Sequence, residues 1–217
     1  MRTGACRRAW GALAGVGLLL GAAAPAPASS ARKRAIPSPT AALLRRADLG
    51  RPWTLQADAP KHAPALTCHG FSPRLPGVTA PAAVASPTFA RGLQGPFVSQ
   101  TAYRYATPAQ QQIVWRRVVV PRLLRCVARA LTAGASGGAR FTVTSRKVAP
   151  LHGAAAPVTR YRIGGSATSA GQTLPVYLDE LVLGHGPLIT SLDVSSFAQP
   201  PADSLERRLV RLASTRL

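Results

Sequence analysis

Apolar and polar residues alternate with a period of two along much of the C-terminal half of the chain. Thr159, Tyr161 and Ile163 alternate with Arg160 and Arg162, a pattern typical of a strand with one buried face. Comparable segments lie at 141–148, 158–163, 174–183 and 188–194, separated by glycine- and proline-bearing connections at 150–153, 164–171 and 184–187. Successive strands with short connections predict an antiparallel meander.

A further strand and a long helix are predicted before this meander. Residues 97–105 carry β-branched and aromatic residues at alternate positions and predict a strand. Thr107, Pro108 and Gln110 are typical of a helix N-terminus, with an N-cap, a first-turn proline and a capping-box glutamine. Apolar residues at helical spacing extend this helix to Leu131, and Pro121 should kink it or split it in two.

Two shorter helices are predicted near the ends of the domain. Residues 41–49 favour a short helix that stops at Gly50. The closing helix begins after Pro200-Pro201, where Asp203-Ser-Leu-Glu206 matches a capping box and an apolar stripe of leucines follows. Residues 51–96 carry a proline or glycine every few positions and predict irregular structure with short strands. The fold class is therefore α+β, an antiparallel sheet of five or more strands with the two main helices packed on one face.

The first 28 residues have the features of a secretory signal peptide. Arg2, Arg7 and Arg8 form a basic start, residues 10–24 are apolar, and Ala26 and Ala28 suit the −3 and −1 positions of a cleavage site. Cleavage is expected after Ala28, with Ala31 as the alternative. Residues 29–39 then form a basic, proline-bearing linker before a single domain at 40–217. No apolar run approaches the roughly 20 residues of a membrane span, so we expect a protein released to the exterior or to the cell envelope.

Export changes the interpretation of the cysteines. Loss of Cys6 with the signal leaves Cys68 and Cys126, and an even pair in an oxidising compartment favours a disulfide. The alternative is two separate buried thiols. His62 and His69 flank Cys68 without the spacing of a zinc ligand set, so no metal site is predicted.

The chain is strongly basic. The chain has 27 basic and 7 acidic residues, a formal net charge of +20, and 24 basic residues remain without the signal. On the predicted strands Arg160 and Arg162 share one face, and Arg140 and Arg146 oppose Phe141 and Val143. If these strands are neighbours, the four arginines form an open basic face of the sheet, joined by Arg104.

Arginine forks suit phosphate and carboxylate groups, so such a face would attract polyanions. For an exported protein the candidate partners are anionic cell-wall polymers, lipid headgroups or an acidic protein. Nucleic acid is disfavoured by the export signal and by the lack of interleaved stacking aromatics. The alternative is that the charge only keeps the protein soluble.

Side chains that could carry catalysis do not form a recognisable set. Asp179 and Glu180 are adjacent on a strand and so point to opposite faces, which prevents them from acting as a general acid and base pair. His152 or His185 could join a triad with Asp179 or Asp193, but no Gly-x-Ser-x-Gly nucleophile elbow accompanies them. The glycine-rich segments 134–138 and 164–166 lack the lysine of a phosphate loop and predict turns. No catalytic residue and no cofactor is therefore predicted.

The element order of residues 40–217 resembles a known family. Leu-Leu-Arg-Arg-Ala-Asp-Leu-Gly at 43–50, Tyr-Arg-Tyr at 103–105, a helix bearing Cys126 and Val-Leu-Gly-His-Gly at 182–186 look like the PknH-like extracellular kinase sensor domains. Related secreted and lipid-anchored proteins of GC-rich Gram-positive bacteria share this order. The resemblance implies a sheet with helices and a cleft for an extracellular ligand. The chain departs from the pattern in having no kinase, no anchor after the signal and one cysteine pair where the kinase sensors have two.

Together these features predict a secreted, non-enzymatic, sensor-like binding domain of the cell envelope. A secreted hydrolase and a module that binds a partner protein are the alternatives.

Overall fold

The fold is a computed structural model, which describes residues 38–60, 75–79, 81–133, 140–197 and 199–217. Several predictions lie outside these residues: the signal peptide at 1–28, the linker up to residue 37, Cys68 with His62 and His69, and the glycine-rich turn at 134–138. The Cys68–Cys126 disulfide therefore stays a prediction. No helix within the described ranges is long and apolar enough to cross a membrane.

An antiparallel sheet of eight strands forms the centre of the described chain, in the order β1-β3-β4-β8-β7-β6-β5 with β2 paired to β4. The strands are β1 (Thr54–Ala57), β2 (Ala82–Ala85), β3 (Thr88–Ala90), β4 (Phe97–Arg104), β5 (Arg140–Val148), β6 (Val158–Ser169), β7 (Gln172–His185) and β8 (Leu188–Phe197). The predicted meander is confirmed, because β5, β6, β7 and β8 pair in sequence as antiparallel neighbours. Residues 51–96 contribute the short strands β1, β2 and β3, which lie toward the edge of the sheet opposite β5.

The described helices are α1 (Arg46–Leu49), α2 (Pro108–Val114), α3 (Val120–Ala133) and α4 (Asp203–Ser214). A π-helical turn at Trp115–Val119 joins α2 to α3, so the predicted long helix is interrupted near Pro121. Proline has no backbone N–H to donate to the carbonyl four residues earlier, which prevents a regular α-helix through this point. The hydroxyl of Tyr161 donates to the carbonyl of Val119 at the end of the turn and ties the helices to β6.

Helices cover both faces of the sheet, which corrects the prediction that the two main helices share one face. On one face Leu181 and Leu192 belong to the same buried cluster as Leu209 of α4. On the other face Ile163 and Val182 belong to a cluster with Leu123 of α3. The reason is visible in β7, where Leu181, Val182 and Leu183 are consecutive and all buried, as is typical of a strand covered on both sides.

Gly164 and Gly165 lie inside β6 rather than in the connection predicted at 164–171, which corrects that boundary. The strand continues to Ser169 and turns only at Ala170 and Gly171. A Cβ on Gly165 would lie 2.3 Å from the carbonyl oxygen of Thr142, and one on Gly164 would lie 2.7 Å from Oγ of Ser145. These glycines therefore permit the close approach of β5 and are not turn residues.

Replacing Gly165 by alanine is expected to lower the free energy of unfolding by about 1–3 kcal/mol, because the added methyl group overlaps backbone atoms of β5. Alanine normally stabilises a strand interior relative to glycine. A loss of stability in G165A would therefore indicate a steric clash with β5. Urea unfolding of G165A would measure the change, with S166A on the same strand as the control. Unchanged or increased stability of G165A would contradict the close β5–β6 approach.

A buried glutamine ties the start of the domain to the sheet. Gln100 of β4 accepts from the backbone N–H of Leu44 at 2.6 Å and donates to the carbonyl of Ala42 at 3.1 Å and to Thr190 Oγ1 at 2.7 Å. Arg216, close to the C-terminus, donates to the carbonyl of Ala41 and pairs with Asp48. Both ends of the described domain therefore meet on the α4 face of the sheet.

Candidate functional site

Arg160 and Arg162 of β6 do not form an open surface, which corrects the predicted basic face. Arg160 is only 5% exposed, and its Nη1 donates to Asp203 Oδ1 and Glu206 Oε2, both at 2.5 Å. Its remaining donors bond the carbonyls of Ala149 and Pro150. The alternation was interpreted correctly, since the two arginines do share a face, but α4 packs on that face and supplies the acids.

These acids come from the motif predicted to cap α4. The N-cap of α4 is Ala202, without a side-chain cap, and Asp203 and Glu206 bond Arg160 instead of the helix backbone. Arg162 forms a bidentate pair with the buried Asp179 on β7, with Nε at 2.8 Å from Oδ1. Two guanidinium groups thus face three carboxyls between the sheet and α4.

This network contains one more carboxyl than guanidinium group, and the pKa values of two of its acids are shifted. Burial, followed by the neighbouring Asp179, raises the pKa of Glu206 to about 8, although Arg160 acts in the opposite direction. The Arg160 hydrogen bond lowers the pKa of the half-exposed Asp203. A proton on Glu206 would leave two positive and two negative charges, so the network is electrically balanced at neutral pH.

The remaining predicted arginines are exposed but do not all lie together. β5 has a bulge between Val143 and Ser145, and Arg146 therefore pairs with Ile163 and lies on the α3 face, not on the face of Arg160. Arg140 is exposed and opposite Thr168. Arg104 lies on β4, separated from β5 by β8, β7 and β6, or about 19 Å at the usual strand spacing.

A groove lies between the C-terminal half of α3 and β5, with a volume of about 610 Å³. Its lining residues are Ala128, Arg129, Thr132 and Ala133 from α3, and Val143, Thr144, Ser145 and Arg146 from β5. The bulge in β5 positions Arg146 at this groove, opposite Arg129. Two guanidinium groups at one concave site are suited to phosphate or carboxylate.

Positive charge continues along α3 beside this groove. We define the basic surface as Arg122, Arg125 and Arg129 of α3 with Arg146 of β5, all of which are exposed. Arg140 and Lys147 of β5 are opposite Thr168 and Arg162 and so lie on the other face of the sheet. The three α3 arginines are spaced at i, i+3 and i+7 and so lie on one side of the helix. The sequence has no Asp or Glu between Asp58 and Asp179, so neither α3 nor β5 carries a compensating acid.

Arg122, Arg125 and Arg129 were not predicted as part of a site, because the alternating strand pattern pointed to β6 and β5. The signal that could have found them is the 120-residue interval without an acid, which is visible in the sequence.

A second pair of acids lies on the α3 face of the sheet. Glu180 of β7 is directly opposite Asp193 of β8, and Glu180 Oε1 accepts from Ser191 Oγ at 2.9 Å. Burial, followed by the charge of Asp193, raises the pKa of Glu180 to about 8, and burial raises that of Asp193 to about 6. Burial and both acids raise the pKa of the nearby Tyr103. The two carboxyls therefore hold a proton near neutral pH.

Histidine is not assembled with these acids. His152 lies in the connection before β6 and His185 at the end of β7, and both are exposed. Within the described residues neither histidine hydrogen-bonds a serine or a carboxylate. No group of three or more His, Cys, Asp or Glu in the same part of the chain is placed to hold a metal ion.

Comparisons with known proteins give a loose resemblance in fold. No protein-family profile matches the chain, and no curated protein matches it. Among solved structures it is similar to the crystal structure of the extracellular domain of PknH from Mycobacterium tuberculosis, with a TM-score of 0.40 and 10% sequence identity. The match covers 64% of this chain and 65% of that one, slightly less than two thirds of either.

Proposed function

We propose that the chain is a non-enzymatic, extracytoplasmic binding domain that holds an anionic polymer of the cell envelope on the basic surface formed by α3 and β5. The observation that carries this proposal is the cluster of four exposed arginines, Arg122, Arg125, Arg129 and Arg146, on two adjacent elements that contain no acid. Five of the seven acids instead lie under α4 or between β7 and β8. The arginines of the basic surface therefore have no acid on their own elements.

The groove supplies a place where individual anionic groups can be held. At about 610 Å³ it lies within the usual range of ligand sites and is large enough for more than one phosphate or carboxylate unit. Arg129 and Arg146 line it from opposite walls, so an anion in the groove would lie between two positive charges. Arg122 and Arg125 would hold the polymer beside the groove by attraction that salt screens.

The predicted signal peptide and the Cys68–Cys126 disulfide belong to the same proposal. Both favour function outside the cytoplasm, where an anionic wall polymer would meet the protein.

The test is binding of the purified protein to an anionic wall polymer, isolated from a Gram-positive envelope, across a salt series. We expect binding that weakens steeply between about 50 and 300 mM salt, because several charge contacts are screened together. R125E/R146E should weaken it at least about tenfold at low salt, by reversing two charges of the basic surface. The matched control is R46E/R211E, which makes the same change in net charge on α1 and α4 across the sheet.

Equal losses in the two double variants would mean that net charge alone attracts the polymer, and the proposal would fail. Undiminished binding by R125E/R146E would also refute it. Vesicles of phosphatidylglycerol and an acidic protein, titrated in parallel, distinguish the polymer from the other anionic partners. Preference for either over the polymer would move the assignment to that partner.

A further inference from the structure

A second concave site lies at the opposite end of the helical run, apart from the basic surface. It has a volume of about 330 Å³ and is lined by Gln111, Gln112, Trp115 and Arg116 with Pro157 and Gly184. The four helical residues form two i, i+4 pairs, Gln111 with Trp115 and Gln112 with Arg116, so two adjacent rows of side chains form one wall. Pro157, just before β6, and Gly184, near the end of β7, form the other.

Gly184 makes the concavity possible. A Cβ at this position would lie 2.6 Å from Nε2 of Gln111 and 3.2 Å from the ring of Trp115. Any other residue would push both side chains away from the end of β7. The absence of a side chain on Gly184 therefore lets an amide and an indole ring approach the same point of the sheet.

The π-helical turn begins at Trp115, which is only partly buried and packs against the cluster beneath α3. Single π turns are frequent at functional sites, because they shift side chains relative to a regular helix. Arg116 is exposed, and its Nη2 donates to Gln112 Oε1 at 3.0 Å. This bond orients the guanidinium group, and since it uses the amide oxygen of Gln112, a ligand would meet the amide NH₂ group.

We infer that this pocket binds a sugar ring carrying a carboxylate, such as a uronic acid unit of an envelope polysaccharide. A partly exposed indole provides an apolar surface for the C–H face of a pyranose. The exposed Gln112 provides its amide NH₂ group for ring hydroxyls, beside the buried Gln111. A guanidinium group held in place by Gln112 provides the fork that pairs with a carboxylate.

The volume is consistent with this ligand and not with a large one. About 330 Å³ is at the lower end of ligand sites and suits one or two sugar rings. The inference goes beyond the proposed function because it uses different residues and requires a ring as well as a charge. A polymer of phosphates without sugar rings would satisfy the basic surface and leave this pocket empty.

The test is titration of the purified protein with trigalacturonate at physiological salt, by calorimetry and by tryptophan emission. We expect saturable binding, and a change in emission that is lost in W115F, since Trp53, the other tryptophan of the described residues, is only 2% exposed. The protein is produced from Ser29 onward, so that Trp10 does not contribute. R116A should weaken binding at least about fivefold. R117A is the matched control, because Arg117 is an exposed arginine of the same π turn that does not line the pocket.

Maltotriose and inorganic polyphosphate separate the two requirements of the site. Maltotriose has rings without a carboxylate and should bind at least about tenfold more weakly than trigalacturonate, and polyphosphate should not change the emission of Trp115. R125E/R146E should retain trigalacturonate binding, which separates this inference from the basic surface. Equal effects of R116A and R117A, loss of binding in R125E/R146E, or no saturable binding of trigalacturonate would each overturn the inference.

Discussion

Replacing Arg160 by methionine is expected to lower the free energy of unfolding by about 3–5 kcal/mol at pH 8. The substitution would leave Glu206, which is 0% exposed, without its guanidinium partner, and the carbonyls of Ala149 and Pro150 without their donors. Removing one partner of a buried ion pair costs more than the pair itself contributes, because Glu206 must then either remain charged without its cation or take up a proton at pH 8. Denaturant unfolding monitored by circular dichroism measures the loss.

Two further variants make this result specific to the network. R104M removes an exposed arginine from the same sheet and should change stability by less than about 0.5 kcal/mol. R160M/E206Q replaces the unpaired acid together with its partner and should recover part of the loss, giving a coupling energy in a double-mutant cycle. A cost for R160M no larger than that for R104M would show that Arg160 is not buried against α4.

Stability is expected to fall as the pH rises from 5 to 8, by at least about 2 kcal/mol. The pKa values of Glu206 and Glu180 are raised to about 8 in the folded protein, and that of Asp193 to about 6, above the ordinary values of 4.5 and 3.8. In this window the folded protein holds protons that the unfolded chain has released, so folding takes up protons. The stabilisation is complete below the unfolded pKa values and is lost as the pH passes the folded ones.

Denaturant unfolding at several pH values between 5 and 8 measures this slope. E206Q and E180Q should each flatten it, since glutamine approximates the protonated acid and cannot ionise. D58N, at an exposed acid, is the matched control and should leave the slope unchanged. Stability that is constant or increases over this range would contradict the raised pKa values.

The strands and helices could largely be predicted from local patterns. The period of two at the start of β6 and the Thr107–Pro108 start of α2 depend on residues close in sequence, and the structure agrees with both. The end of β6 could not be predicted, because Gly164 and Gly165 have the composition of a turn. Only the approach of β5 explains why glycine is needed inside a strand.

The site was harder to predict because it depends on long-range packing. The shared face of Arg160 and Arg162 follows from the strand period, but whether that face is open depends on α4, more than 40 residues later in the sequence. Arg146 was assigned to the wrong face because one extra residue at the β5 bulge reverses every later side chain. The basic surface and the Trp115 pocket depend in turn on where the helical run packs across the sheet.

Gln100 and Arg216 hold the first and last segments of the described domain on the same face of the sheet. This arrangement determines how the domain can be attached to a support. Ala42 and Leu43 form a cluster in which Leu217 also packs, on the face of the sheet opposite α3. A chip or bead coupled through the C-terminus, next to Leu217, would therefore hold the α4 face and leave α3, β5 and the Trp115 pocket turned toward the solution.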